Sequence, residues 1–178
     1  MGRPKRIVLV RHGESLANLD ASVYERMPDH AIGLTTAGVE QARKSGATLR
    51  AMFGDEDVQA YVSPYVRAHQ TLRALAIDDL IARVNEEPRL REQDWANYQD
   101  TADIARQKQL RDSYGHFFYR FTDGESGADV YDRVSSFLET LHRQFARHDY
   151  PANALLVTHG LTMRLFCMRW FQIGRAHV

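Results

Sequence analysis

The sequence predicts an α/β fold, a three-layer α/β/α sandwich with a mostly parallel central sheet. Three observations lead there. Four short runs, Ile7–Val10, Ala60–Val62, Ala82–Asn85 and Ala154–Val157, read as strands, three of them almost wholly apolar. Segments with helical apolar spacing lie between them, and strand–helix alternation of this kind builds a parallel sheet with helices on both faces. Finally, the 178 residues contain no internal repeat, low-complexity stretch or linker, so residues 1–172 are expected to form one domain around one core.

Ile7-Val8-Leu9-Val10 is β-branched and apolar throughout, and is expected to be a strand buried on both faces. Thr36 is expected to cap a helix running to about Met52, with Ala42, Leu49 and Phe53 among its apolar positions. Ala60-Tyr61-Val62 is the next strand. After Ser63-Pro64, the spacing of Ala68, Leu72, Leu75 and Ala76 predicts a helix from Tyr65 to Asp79. Ala82–Asn85 is more polar and belongs nearer a sheet edge. The stretch 97–127 breaks the alternation and reads as a partly helical insertion above the sheet. Val130, Val134, Phe137, Leu138, Leu141 and Phe145 mark the clearest amphipathic helix, from Ala128 to His148. Ala154–Val157 is the last strand, and a helix follows from about Leu161 to Phe171.

Composition removes several function classes. With 23 Lys+Arg against 23 Asp+Glu the chain has no net charge, so it carries no footprint for general nucleic-acid or membrane-surface binding. A 44% hydrophobic, 26% charged chain is not a disordered one. The single cysteine, Cys167, allows neither an internal disulfide nor a cysteine zinc site. The basic start, Met1 to Arg6, precedes an apolar run too short for a signal-peptide core, and no run is long enough to span a bilayer. Gly2 lacks the following Ser or Thr of a myristoylation site. A cytoplasmic protein without nucleic-acid or membrane partners is the expectation; oligomeric state is left open.

Chemistry concentrates at three strand ends. The first strand runs into Arg11-His12-Gly13-Glu14-Ser15, and the last into Thr158-His159-Gly160. The second ends at Ser63-Pro64, with Arg67 within one helical turn. In open α/β sheets, ligands sit beyond the carboxyl ends of strands. The glycines permit close backbone approach, and helix starts offer free N–H groups to an anion. Two Arg and two His converging there form a cationic, donor-rich cup suited to a phosphoryl group.

These residues carry a resemblance. Arg11-His12-Gly13-Glu14-Ser15 with Asn18, Leu34-Thr35 with Gly38, Gln41 and Ala42, Ser63-Pro64 with Arg67, Ala68, Gln70 and Thr71, Leu90-Arg91-Glu92, and His159-Gly160 resemble the histidine phosphatase superfamily, the phosphoglycerate-mutase-like proteins, over about Arg6 to Leu165. The resemblance implies that His12 is the nucleophile, taking the phosphoryl group on a ring nitrogen. Neighbouring arginines would keep its imidazole neutral, and its other ring nitrogen should donate to a nearby carbonyl. Arg11, Arg67 and His159 would hold the phosphoryl oxygens, with Asn18 and Gly160 as further phosphate contacts. Glu92 would be the general acid and then the base, at the rim of the cup. Neither metal nor cofactor is implied, and the substrate would be a phosphorylated small molecule or a phosphoprotein.

A phosphomonoesterase is favoured over a cofactor-dependent mutase by Ala96, where mutases usually carry Gly, and by Leu161-Thr162, where they carry Asn-Ser. Arg106, Lys108, Arg111 and Arg120 in the insertion keep the mutase as the alternative, while Gly124-Glu125-Ser126 with Asp129 and Arg133 resembles the segment that follows the family's insertion. A non-catalytic phospho-ligand or protein-binding module is the alternative of another class, disfavoured because the set is complete. Taken singly, His69 reads as a helix-face residue, His30 as a loop histidine, Trp95 and Tyr98 as packing, and His116, His142 and His148 as structural or solvated. The family typically continues through a further strand and helix, expected to be absent here. Ile173-Gly174-Arg175-Ala176-His177-Val178 equals the translation of ATC GGA AGA GCA CAC GTC, a common sequencing-adapter sequence, so 173–178 are expected to be a non-native tail.

Overall fold

The computed structural model describes residues 3–96 and 100–173. Four strands, β1 (Arg6–Arg11), β2 (Val58–Val62), β3 (Ile81–Glu86) and β4 (Asn153–Thr158), form a sheet in the order β1-β4-β2-β3. Every neighbouring pair is parallel. The helices are α1 (Leu16–Leu19), α2 (Thr36–Phe53), α3 (Val66–Ala74), α4 (Thr101–Tyr114), α5 (Gly127–Phe145) and α6 (Gly160–Trp170).

Alternation along β4 explains the layers. Leu155 and Val157 face one side, where they pack with Leu49 and Phe53 of α2 and Ala68 and Leu72 of α3. Ala154 and Leu156 face the other, against Val130, Val134, Phe137 and Leu141 of α5 and Leu165 and Phe166 of α6. All these residues are buried, so both faces are covered and a parallel sheet is satisfied. The α/β sandwich with a mostly parallel sheet is therefore the observed fold.

Element boundaries differ from the expectations in instructive ways. Strand β1 is only partly buried, not buried on both faces, because it lies at one end of the sheet, opposite the polar edge strand β3. Thr35, not Thr36, caps α2, its Oγ1 accepting from Gly38 N at 2.9 Å. The third helix stops at Ala74 rather than Asp79: Ala76 takes φ 52° and a 3-10 turn, Asp78–Leu80, follows. The insertion holds α4, started by Asp100, whose Oδ1 accepts from Asp103 N at 2.9 Å. Two further 3-10 turns, Ala21–Glu25 and Asp29–Ala31, occupy the loop between α1 and α2. Of the expected tail, Ile173 is 49% exposed, and the rest lies outside the described residues.

The ladder continues past the strand ends, which is what positions the site. His12 N donates to Thr158 O at 3.0 Å, Ser63 N to Val157 O at 3.0 Å and Glu87 N to Val62 O at 2.8 Å. Three loops thus leave one end of the sheet in register.

Candidate active site

The loop after β1 is seated on the start of α2. A Cβ on Gly13 would lie 2.3 Å from Gly38 O, and one on Gly38 only 2.1 Å from Glu14 O, so neither position accepts a side chain. Gly13 N also donates to Thr71 Oγ1 at 3.1 Å, and Glu14 N to Gln41 Oε1 at 2.9 Å. These bonds explain why Gly38, Gln41 and Thr71 accompany the loop: they brace it.

His12, 8% exposed, lies on this braced loop, with Nδ1 2.7 Å from Gly13 O. A carbonyl only accepts, so Nδ1 carries the hydrogen and Nε2 keeps its lone pair. Burial pushes the imidazole down to about 4, with Arg67 and Arg11 adding to the effect and the Gly13 carbonyl opposing it. His12 is neutral well below pH 7.

His159, fully buried as the N-cap of α6, has its ring centroid 5.2 Å from that of His12. Ser63 Oγ is 2.7 Å from its Nε2 and accepts from Tyr65 N at 3.4 Å. The Ser63 hydroxyl can donate to Nε2 or accept from it, and in either case the bond orients the ring. Nδ1 is buried and has no partner among the described residues. Burial, then Arg67, His12, Arg133 and Arg11, hold this imidazole well below its ordinary value, so it too is neutral.

Arg67 lies in the first turn of α3 with its side chain only 5% exposed. Its guanidinium sits 4.8 Å over the Tyr65 ring, and that ring packs edge-on to His159 with centroids 4.8 Å apart. Asp29 pairs with it from the loop between α1 and α2. Arg11, at the end of β1, is exposed and lines the cavity described below. Asn18 plays a local part: its Oδ1 accepts from Ser15 N at 2.9 Å and Ser15 Oγ at 3.1 Å, closing the start of α1. Gly160 is not sterically required, since a Cβ there would meet only Arg11 Nε at 3.7 Å.

Glu92 stands on a segment held from the opposite face of the sheet. Arg133 of α5 donates through Nη1 to Arg89 O at 2.6 Å and Arg91 O at 3.0 Å. Its Nη2 reaches Glu92 O and Glu125 Oε2, both at 3.0 Å, and its Nε reaches Glu125 Oε1 at 3.0 Å. Thr158 Oγ1 donates to Leu90 O at 2.6 Å and Thr162 Oγ1 to Arg91 O at 2.8 Å. Arg89 pairs with Glu87 and Arg91 with Glu125, so neither neutralises Glu92. Burial pushes the Glu92 carboxyl up, favouring the protonated acid.

Glu92 and Arg11 open onto a cavity of about 300 Å³ also lined by Trp95, Arg111, His116, Gly160 and Arg164. His116, expected to be structural or solvated, lines this cavity. Trp95 packs, as expected, at 4.7 Å on Phe121, and Arg111 lies 4.9 Å over its ring. His30 lies edge-on to Tyr65 at 6.4 Å, at the site's wall. His69 pairs with exposed Glu86, His142 stacks on Trp170, and His148 is exposed. Tyr98 lies outside the described residues. Sequence reasoning missed Asp29 and Tyr65, and it noted Ser63 and Arg133 without their roles. A buried-pair signal was absent for Asp29, which sits in an unremarkable polar loop.

Comparison with known proteins places the family. The chain is 46% identical over 184 residues to the phosphoglycerate mutase-like protein AT74 of Arabidopsis thaliana, covering 95% of this chain and 58% of that protein. It thus spans less than two thirds of that relative's length. It is 31% identical over 267 residues to the broad-range acid phosphatase DET1 of Saccharomyces cerevisiae, covering 96% of this chain and 79% of that one. The solved alpha-ribazole phosphatase of Shigella flexneri superposes with a TM-score of 0.72 at 25% identity, over 96% of this chain and 80% of that one. Residues 7–178 match the family model for branch 1 of the histidine phosphatases. That match covers most of the chain: the chain belongs to the histidine phosphatase superfamily, branch 1.

Proposed function

We propose that this chain hydrolyses phosphomonoesters through a phosphohistidine on His12. One observation carries the reading: a neutral imidazole whose Nδ1–H is fixed on Gly13 O, leaving the Nε2 lone pair free, beside two arginines and a His159 whose Nδ1 has no partner among the described residues. Arg11, Arg67 and His159 take the phosphoryl oxygens, where they also match the charge of the transition state. The His12 Nε2 lone pair attacks phosphorus, the P–O bond to the leaving group breaks, and Glu92 gives its proton to the departing oxygen. The Glu92 carboxylate then takes a proton from a water that attacks phosphorus, the P–N bond breaks, and orthophosphate leaves. The cavity beside Glu92 has room for a small-molecule leaving group.

The acid phosphatase activity in the name of the yeast relative fits a site that needs neutral His12 and protonated Glu92. A mutase is the second reading, favoured by Arg111 and Arg164 in the same cavity, which could receive a second anionic group. The test is a panel of phosphate esters with wild type and His12→Ala, together with acid- and base-quenched phosphoenzyme. Hydrolysis lost with His12, and an acid-labile, base-stable phosphoenzyme, support the reading. A bisphosphoglycerate-dependent transfer assay on the same samples separates mutase from phosphatase. Phosphate binding without turnover would instead indicate a binding module.

A further inference from the structure

The proposed reaction gives no part to Asp29, a half-buried carboxylate that pairs with one of its arginines. Asp29 begins the 3-10 turn Asp29–Ala31, and the turn is anchored by Ile32, which is fully buried directly after it. Arg67 Nη1 donates to Asp29 main-chain O at 2.6 Å and to Oδ1 at 2.9 Å, while Nη2 donates to Oδ2 at 3.3 Å. A guanidinium has five N–H donors in a planar fork. Asp29 occupies both hydrogens of Nη1 and one of Nη2. What remains is Nε–H and the second Nη2 hydrogen, which lie parallel along one edge. Two parallel N–H groups are what a pair of phosphoryl oxygens accepts.

Arg133 shows what a purely structural arginine looks like in the same molecule: its hydrogens are all used, on three carbonyls and a carboxylate. Arg67 is as deeply buried, with Tyr65 stacked on one face, yet it keeps a two-donor edge.

We propose that Asp29 is a positioning residue of the phosphoryl cup, gripping Arg67 by the end of its fork so that the Nε–Nη2 edge faces the substrate phosphoryl group. This rests on the phosphatase reading for its substrate but on the Arg67 geometry for its logic. It carries an electrostatic consequence. The charges acting on Glu92 are Arg67 from α3 and Arg133 from α5, which favour its carboxylate, and Asp29, which opposes it. Tyr65 faces Asp29, Glu92 and Arg67 together, and His30 lies against Tyr65. Removing the Asp29 charge lets Glu92 lose its proton at lower pH, so the alkaline limb of hydrolysis moves toward acid. The limb thus reports the Asp29 charge, and vanadate affinity reports its grip on Arg67.

The experiment compares wild type, Asp29→Asn and Asp29→Glu in two measurements: orthovanadate binding by calorimetry, and the pH profile of kcat/KM on an alkyl phosphate. Asp29→Asn keeps the size but presents an N–H to Nη2. It should bind vanadate about tenfold more weakly and shift the alkaline limb acidward. Asp29→Glu keeps the charge but displaces the fork, so its limb should stay put and its vanadate affinity fall only about threefold. If Asp29→Asn does not fold, the Asp29→Glu pair of results decides, and unchanged vanadate affinity there overturns the proposal. Asp29→Asn binding vanadate as tightly as wild type, or more tightly, also overturns it, since Asp29 would then be competing with the oxyanion. An unmoved limb in Asp29→Asn does the same. Wild type that binds vanadate without hydrolysing any ester sinks the phosphatase reading alone, and the vanadate arm then decides Asp29. Wild type that binds no vanadate overturns both.

Discussion

The face of the sheet covered by α2 and α3 and the face covered by α5 and α6 build their halves of the site by different physics. On the first, the parts meet in close backbone packing and in one continuous run of chain. Gly13 and Gly38 touch backbone to backbone, Thr71 holds the Gly13 amide, and Ser63, Tyr65 and Arg67 follow one another out of β2 into α3. On the second, Glu92 is held by ties of 41 to 71 residues in sequence, through Arg133 and Thr162. The phosphoryl grip is thus rigid because of local shape, and the acid is placed by a polar network that is satisfied only as a whole.

The sharpest test of that contrast is the nucleophile. His12→Ala should reduce ester hydrolysis by on the order of 10⁴-fold or more, whatever the leaving group, read from steady-state kcat/KM. Glu92→Gln comes next and should discriminate: a loss of about 10²–10³-fold on an alkyl phosphate, much less on a nitrophenyl ester, with vanadate affinity kept. Full activity of Glu92→Gln on the alkyl ester would remove it as the acid.

Arg133→Met probes the network from a distance. It removes five hydrogen bonds, although Glu125 keeps Arg91 and Asp94 N and the Arg91 carbonyl keeps Thr162, so thermal unfolding should report a loss of about 1–3 kcal/mol. Hydrolysis of the alkyl ester should fall further than vanadate binding, because the acid moves and the grip does not. Equal losses in both would mean that the two halves are one unit.

The pH dependence has a worked sign. His12 in the fold sits at about 4 against 6.5 for an ordinary histidine, so between those values the unfolded chain binds more protons. Its contribution is fully present above about pH 6.5 and is lost as pH falls toward 4. Chemical unfolding between pH 4 and 8 should show this slope in wild type and a shallower one in His12→Asn. Hydrolysis should fall on the acid side as His12 protonates, and on the alkaline side as Glu92 ionises. Ser63→Ala is the mildest change. It removes the hydrogen bond that orients the His159 ring at a cost of about 1 kcal/mol, several-fold in kcat/KM, and should leave the Glu92-dependent leaving-group sensitivity untouched.

The same contrast explains what was legible in the sequence. Strands β1, β2 and β4 and the helices α2, α3, α5 and α6 follow from apolar runs and spacing, because the sheet is buried between periodic helices, whereas the exposed, polar β3 is written only weakly. His12, His159, Arg11 and Arg67 were readable because strand ends and tight turns are written in contiguous residues. Glu92 was readable only through its motif; its isolation from Arg89 and Arg91 depends on Glu87 and Glu125, which no local pattern pairs. Asp29 was not legible, since nothing in Pro28-Asp29-His30 announces a partner 38 residues away. The place of β1 in the sheet was misread for a similar reason. Ile7–Val10 is apolar enough for a central strand, and composition does not say which strands flank it.

That place has a consequence for the order in which the cup would come apart. Among the described residues, β1 has one neighbour, β4, whereas Arg67 and His159 follow strands with neighbours on both sides. The His12 amide is itself the last rung of the β1–β4 ladder, bonded to Thr158 O at 3.0 Å. Peeling a single edge strand would therefore carry off the nucleophile and Arg11 while leaving Arg67, His159 and most of the secondary structure in place. Amide exchange would register this as early deuterium uptake along residues 6–12. Inactivation by mild denaturant would then precede the loss of far-ultraviolet ellipticity rather than coincide with it.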